Sequence, residues 1–277
     1  ISSGHTVVEG ATLQWYEETY VKDPLEKRGF DGNYWLWEYP NYSRDYVVVA
    51  DVARGDSSDY SAFHVFDVET VEQVAEYKGK IDTKQFGAML TAVANEWNKA
   101  MLVIENANIG WAVIQEVIDR SYENLYYSYR DVGYVDEDIH LRKGFDLKRK
   151  EDMVPGFSMT SRTRPLVISK LDMYMRERTP IIRSKRLIDE LFVFIWNGSR
   201  AEAQRGYNDD LVMSFSTGLW VRDTALKLRQ QGLDLSRTAL SHIGKSTGGV
   251  YNARSAAQDP WNQKDQHGND NDLTWLL

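Results

Sequence analysis

The sequence contains no cysteine. This absence excludes a disulfide framework, a thiolate zinc site and a cysteine nucleophile. The sequence also has no apolar run of 18 residues and no recognisable N-terminal signal peptide, so it predicts no membrane span and no membrane partner. A reducing cytoplasm is compatible with this composition.

The sequence also lacks an excess of positive charge. The 33 Lys and Arg residues are outnumbered by 41 Asp and Glu residues, and the net charge is -8 at pH 7. Proteins that coat nucleic acid are usually basic, so the charge counts mildly against nucleic-acid binding. Because net charge governs solubility and non-specific association more than one local site, DNA binding stays open.

The sequence gives little support for a histidine-based metal site or for a phosphate-binding loop. His64 lies in a strand-like run, where we expect it to pack rather than to bind a metal, and His242 lies in a polar tail. Neither has a second histidine at ligand spacing, so no histidine-based zinc site is predicted. The stretch SHIGKST (241–247) is similar to a phosphate-binding loop, but Ala239 stands where the first glycine is required. We therefore reject an ATP site there.

Hydrophobic periodicity predicts an α/β protein with a mixed sheet flanked by helices. Alternating or β-branched runs predict strands, period-3.6 runs predict helices, and their alternation implies crossover connections. Residues 1–45 and 131–164 look largely irregular, and 197–206 is hairpin-like. The predicted strands are 34–40, 46–52, 61–68, 72–79, 101–105 and 124–129, and the predicted helices are 83–97, 109–120, 164–177 and one beginning near Asn208.

Acidic residues stand at the ends of apolar segments. Asp51 and Glu105 each end an apolar strand, where a buried carboxylate is costly unless it is compensated. A third acidic position, the pair Asp209 and Asp210, directly precedes an apolar helical run. Each of these acidic positions also has an explanation that needs no functional site, because a strand-end acid is often solvated and paired aspartates often cap a helix.

The helical wheel separates the two aspartates. Asp209 lies near the edge of the apolar arc and is expected to face the sheet, whereas Asp210 is rotated away and is the better candidate for a cap or an auxiliary carboxylate. If the strands ending at Asp51 and Glu105 are neighbours, three acids meet at one edge. Such oxygen donors suit hard divalent cations, and two ions about 3.5–4 Å apart stabilise a phosphodiester displacement.

These motifs resemble the nuclease half of the large terminase subunit of tailed bacteriophages, an RNase H-like domain of the motor that packages viral DNA. The resemblance rests on ADVARGDSSDYSAFHVFD around Asp51, LVIENANIG around Glu105 and RGYNDDLVMS around Asp209, in the family's order. SRTRPLVISKLDMY and RLIDELFVF also fit the family's pattern. The match covers about residues 44–225.

The resemblance implies a metal-dependent endonuclease that cuts double-stranded DNA with low sequence specificity. Asp51, Glu105 and Asp209 would be catalytic and would hold two Mg²⁺ or Mn²⁺ ions, with Asp210 as a further ligand. Family members often carry His where this chain has Asn208, so no histidine can act as a general base at this position.

The resemblance also implies an organisation and partners. Residues 1–44 would be the entry segment from a missing ATPase half, 45–230 the nuclease domain and 231–277 a flexible polar tail. The portal protein and the small terminase subunit would be partners, and the protein would act in the host cytoplasm, on the procapsid.

Local basic clusters are the candidate DNA contacts. They can bind phosphates by charge without reading sequence, although a solvated charged face is an equally good interpretation. The candidates are Arg142, Lys143, Lys148, Arg149, Lys150, Arg162 and Arg164. Two further functions stay open: another RNase H-like nuclease such as a junction resolvase, and a non-catalytic module that docks on the portal.

Overall fold

The computed structural model describes residues 5–29, 31–53, 60–107, 109–129, 153–223, 226, 262–264 and 270–272. The chain divides into two compact units, 1–228 and 229–277. In the second unit, β11 (Asn262–Lys264) pairs with β12 (Asp270–Asp272) in antiparallel fashion. The rest of the predicted tail, with His242 and the stretch 241–247, lies outside the described residues.

A six-stranded mixed sheet forms the centre of the first unit. Its strands lie in the order β1-β2-β5-β4-β3-β6, and all neighbours are antiparallel except β3 and β6, which are parallel. This arrangement confirms the predicted mixed sheet. The strands are β1 (Glu26–Arg28), β2 (Tyr34–Leu36), β3 (Tyr46–Asp51), β4 (Ser61–Asp67), β5 (Gln73–Gly79) and β6 (Met101–Ile104).

Helices cover both faces of the sheet. Since successive strand residues point to opposite faces, Val47 and Val49 join one apolar core and Val48 and Ala50 join the other. α2 (Thr83–Glu96) and α3 (Gly110–Asp119) pack in the core that contains Val48. The opposite core contains α1 (Gly10–Thr19), α4 (Thr163–Arg176), α5 (Lys185–Val193) and α6, helical over 210–223.

Two regions expected to be irregular contain regular structure. α1 lies within 1–45, where no clear period is visible because only Thr12, Leu13 and Tyr16 of this helix are buried. β8 (Met153–Pro155) lies within 131–164 and pairs with β7 (Tyr127–Tyr129). The remainder of that segment, 130–152, lies outside the described residues.

A hairpin follows α5, as the sequence indicates. β9 (Phe194–Asn197) and β10 (Arg200–Ala203) pair in antiparallel register, with Trp196 opposite Ala201. The N-terminal segment joins this hairpin: Thr6 bridges to Ile195, and the amide of Val7 donates to the carbonyl oxygen of Phe194 at 3.0 Å. No helix within the described part of the chain is long and apolar enough to cross a bilayer.

Candidate active site

Asp51 and Glu105 lie side by side at one edge of the sheet. Their strands β3 and β6 are parallel neighbours, and Ala50 and Ile104 are the last residues in register. The register continues one step further, because the amide of Glu105 donates to the carbonyl oxygen of Ala50 at 3.1 Å. The two strands are therefore neighbours, which is the condition under which the sequence places these acids at one edge.

Burial and mutual repulsion oppose the ionisation of these two carboxyls. Burial raises the pKa of Asp51 well above its usual range, and the charges of Glu105, Asp210 and Asp209 raise it further. Burial also raises the pKa of Glu105 to about 6, with Asp209 acting in the same direction and Arg164 against it. The other three carboxylates thus act on Asp51 as repelling charges, and a bound cation would relieve that repulsion.

Asp210 is turned towards the sheet, contrary to the helical-wheel expectation. Its Oδ2 accepts hydrogen bonds from the amide of Tyr60 at 3.1 Å and from Nδ2 of Asn208 at 3.2 Å. Its carboxylate also acts on Asp51 more strongly than that of Asp209 does. The wheel misplaced the pair because α6 begins at residue 210, so Asp209 precedes the helix and does not follow its 100° spacing.

Glu190 takes the capping role that the sequence offered to the aspartates. Its Oε2 accepts from the amides of Leu211 at 2.9 Å and Val212 at 3.2 Å, in the first turn of α6. Its Oε1 forms an ion pair with Lys78, on β5. Burial raises the pKa of Glu190 to about 7, although Lys78 opposes that shift.

Sequence reasoning missed Glu190, although a signal was present. In RLIDELF, Glu190 shares the buried stripe of α5 with Leu187 and Leu191. An acid at a core position of an amphipathic helix needs a buried partner. The partners are β5 and α6, which lie far from α5 in sequence.

Arg164 connects the acidic cluster to the β9–β10 hairpin. Its Nη2 donates to Oδ2 of Asp209 at 3.3 Å and to the carbonyl oxygen of Ala201 at 3.1 Å. Arg162, at the N-terminal end of α4, is exposed. The remaining candidate DNA contacts, Arg142, Lys143, Lys148, Arg149 and Lys150, lie outside the described residues.

Among the described residues, no group of three or more His, Asp or Glu side chains is arranged to hold a metal ion. The donor chemistry nevertheless fits one. Asp51, Glu105, Asp209 and Asp210 offer only carboxylate oxygens, the ligands that Mg²⁺ and Mn²⁺ favour. In this arrangement Arg164 supplies a positive charge to Asp209.

His64 is a core residue, as expected. It is fully buried, its Nε2 lies 3.0 Å from the carbonyl oxygen of Leu211, and its Nδ1 lies 2.9 Å from Nε2 of Gln73. Burial lowers the pKa of His64. One ring nitrogen therefore contacts α6 and the other contacts Gln73 of the neighbouring strand β5.

No protein-family model matches the sequence. The fold is similar to that of several solved structures. The large terminase nuclease of the thermophilic phage G20c with bound magnesium has a TM-score of 0.57 and 18% identity, over 79% of this chain and 98% of that one. The same nuclease with bound cobalt has a TM-score of 0.55 and 18% identity, over 75% of this chain and 95% of that one.

The nuclease domain of the large terminase of Thermus phage P74-26 is also similar, with a TM-score of 0.51 and 19% identity over 74% of this chain and 92% of that one. At such identities the likeness concerns the fold. The resemblance read from three short motifs is confirmed at that level: this chain has the RNase H-like fold of phage large terminase nucleases.

Proposed function

We propose that this protein is a metal-dependent endonuclease that cuts double-stranded DNA during phage genome packaging, with low sequence specificity. The observation that carries the proposal is the position of Asp51 and Glu105, two partly buried carboxylates at the ends of adjacent parallel strands. Buried like charges side by side are costly to a fold, and strongly shifted carboxyls in such a place are typical of functional sites.

The acidic residues have separate roles in this proposal. Asp51, Glu105 and Asp209 hold two cations, Mg²⁺ or Mn²⁺, and Asp210 completes the ligand set. Asn208 and the amide of Tyr60 keep one oxygen of Asp210 engaged, so its other oxygen remains for a cation. When bound, the two ions would activate the attacking water and stabilise the leaving 3′ oxygen.

The chain's own residues prepare the site. Glu190 and Lys78 fix the first turn of α6, which carries Asp210. Arg164 orients Asp209 and contributes positive charge beside the carboxylates, where a DNA phosphate would approach. Arg162 and the basic residues Arg142, Lys143, Lys148, Arg149 and Lys150 would bind the flanking backbone by charge, without reading bases.

The biological setting follows from the shared fold and is likewise a proposal. The G20c and P74-26 neighbours are nucleases of large terminases. By that analogy the portal protein and the small terminase subunit are partners of this chain, and its site of action is the host cytoplasm, at the procapsid.

Plasmid nicking tests the proposal. Supercoiled plasmid in Mn²⁺ should be nicked and linearised by the wild-type chain, and Asp51→Asn should reduce the rate by at least about 100-fold, since it weakens cation binding. Asp189→Asn serves as the matched control, because Asp189 is an exposed acid of α5 paired with Lys185. Equal rates for Asp51→Asn and wild type would contradict the proposal.

The same assay separates the alternatives. A junction resolvase would cut a four-way junction much faster than linear duplex of the same length. A non-catalytic docking module would cut neither substrate, and its binding to the portal would be unaffected by Asp51→Asn.

A further inference from the structure

A cavity of about 580 Å³ adjoins the acidic cluster. It lies between the N-terminal part of α4 and the β9–β10 hairpin, and Glu105 forms part of its wall. Its volume falls within the range of roughly 300–1,000 Å³ that is typical of small-ligand sites. The cavity is therefore large enough to hold one nucleotide unit next to the proposed cutting site.

The wall of this cavity combines an aromatic surface, positive charge and hydroxyl groups. Trp196 is 39% exposed although it lies in a strand. Arg200 is exposed, and Arg164 reaches the cavity from the other side. Ser161 contributes a hydroxyl just before α4, whereas the hydroxyl of Thr160 accepts from the amides of Arg162 and Thr163. An indole face suits a nucleobase, and guanidinium groups suit a phosphate.

The hydrogen bonding of Arg164 is incomplete. Within the described residues, both of its side-chain hydrogen bonds leave from Nη2, and its buried Nε finds no acceptor there. A guanidinium carries five N–H donors, so this side chain retains capacity for an anion. Because an unsatisfied buried donor is costly, a bound anion that reorients the guanidinium would stabilise this side chain.

We propose that the cavity is a subsite for one unstacked nucleotide of the strand being cut. Its base stacks on Trp196, and its phosphate contacts Arg164 and Arg200. This inference rests on the proposed nuclease function, since the cavity adjoins the carboxylates assigned to cutting. A base inside a duplex has both faces covered, so the subsite takes a base that is already unpaired or has been flipped out of the duplex.

Photo-crosslinking tests the subsite directly. The protein carries Asp51→Asn to keep strands intact, and the probe is a duplex of 20 base pairs with 5-iodouracil in a three-nucleotide unpaired patch. Irradiation in Mg²⁺ followed by peptide mass spectrometry should locate the crosslink on Trp196 or its neighbours in β9. The fully paired duplex should crosslink there at least about tenfold less, because its bases stay stacked.

A free mononucleotide could offer the cavity the same base and phosphate groups as a DNA strand. 5-Iodo-deoxyuridine monophosphate at the probe concentration should give a Trp196 crosslink at least about tenfold weaker, since it lacks the flanking phosphates. An equal or stronger crosslink by the mononucleotide would overturn the assignment to a DNA strand.

Substitution at Trp196 distinguishes stacking from hairpin packing. Trp196→Leu should weaken binding of the patched duplex by about 5- to 150-fold, the equivalent of roughly 1–3 kcal/mol, whereas Trp196→Phe should stay within about threefold of the parent. Tyr42→Ala is the control, because Tyr42 is 72% exposed and precedes β3, at the end of that strand opposite Asp51. Wild-type affinity in Trp196→Leu would overturn the subsite.

The experiments can contradict the subsite and the nuclease function independently of each other. A Trp196 crosslink without any Mn²⁺-dependent nicking by the wild-type chain would contradict the nuclease and leave the subsite standing. Nicking by the wild-type chain with no crosslink in β9 would contradict the subsite and leave the nuclease function standing.

Discussion

Oε2 of Glu190 accepts a hydrogen bond from the amide of Leu211 at 2.9 Å. Through this bond a side chain of α5 completes the first turn of α6, next to Asp210. The same carboxylate pairs with Lys78 of β5. One buried acid thus ties three elements together, immediately behind the proposed metal ligands.

Removal of the Glu190 carboxylate should destabilise the fold. Glu190→Ala leaves Lys78 unpaired and two amides of α6 without their acceptor, and we expect the free energy of unfolding to fall by about 3 kcal/mol. Glu190→Gln keeps an acceptor and should lose less. Urea denaturation in chelator measures both. Asp189→Ala, on the exposed side of the same helix, should change the value by no more than about 0.5 kcal/mol. A Glu190→Ala value within that limit would show that the contact contributes nothing.

Asp51→Asn should stabilise the metal-free protein. The substitution removes a partly buried charge that Glu105, Asp209 and Asp210 repel, so the thermal midpoint in chelator should rise by a few degrees. Mn²⁺ should stabilise the wild type, and this stabilisation should shrink in the variant, because a proposed ligand is lost. Differential scanning calorimetry with and without Mn²⁺ checks both effects. A lower midpoint in chelator would mean that Asp51 supports the fold instead of straining it.

The stability of the metal-free protein should fall as the pH rises from 4.5 to about 6. The pKa of Glu105 is raised from 4.5 to about 6, so in this window the folded state binds more protons than the unfolded chain. The raised pKa of Glu105 contributes about 2 kcal/mol to the free energy of unfolding. This contribution is complete below pH 4.5 and is lost above about pH 6. Urea denaturation at several pH values in chelator measures it.

Glu105→Gln should flatten that pH dependence, and Glu177→Gln, an exposed site at the end of α4, should leave it as in the wild type. Equal slopes in Glu105→Gln and wild type would assign the effect to other carboxyls, of which Glu190 is the first candidate.

Gly110→Ala should disturb the position of Glu105. A β-carbon on Gly110 would lie 1.9 Å from the carbonyl oxygen of Glu105, and this backbone contact leaves no room for it. We expect a loss of about 2–3 kcal/mol in unfolding free energy, with weaker Mn²⁺ binding by calorimetric titration. Gly10→Ala is the matched control, since Gly10 also begins a helix and has no atom within 4 Å of the added carbon. Unchanged Mn²⁺ affinity in Gly110→Ala would separate this turn from the site.

The sequence predicts the sheet well because its strands bury both faces. Runs such as YVVVAD, with five of its six residues buried, can be recognised without knowledge of their neighbours. Asp51 and Glu105 stand out for the same reason, as charges at the ends of such runs. Their adjacency then depends only on β3 and β6 being neighbours, which the crossover through α2 favours.

The parts that could not be predicted depend on contacts between distant segments. Glu190 pairs with Lys78 across 112 positions and with Leu211 across 21, and no local pattern specifies either partner. α1 is similarly hidden, because much of its surface stays exposed and only its packing on the α5 side of the sheet makes it regular. The orientation of Asp210 depends on the residue at which α6 begins, and helix ends are the least certain feature of a pattern.

The bridge between Thr6 and Ile195 makes the N-terminal segment a third member of the β9–β10 hairpin. The amide of Trp196 also donates to the carbonyl oxygen of His5 at 3.0 Å, so the residue whose ring lines the cavity also holds the N-terminal segment by its backbone. A pull transmitted through residues 5–7 therefore acts on the strand that carries this ring. The cavity wall and residues 5–7 thus form one hydrogen-bonded unit.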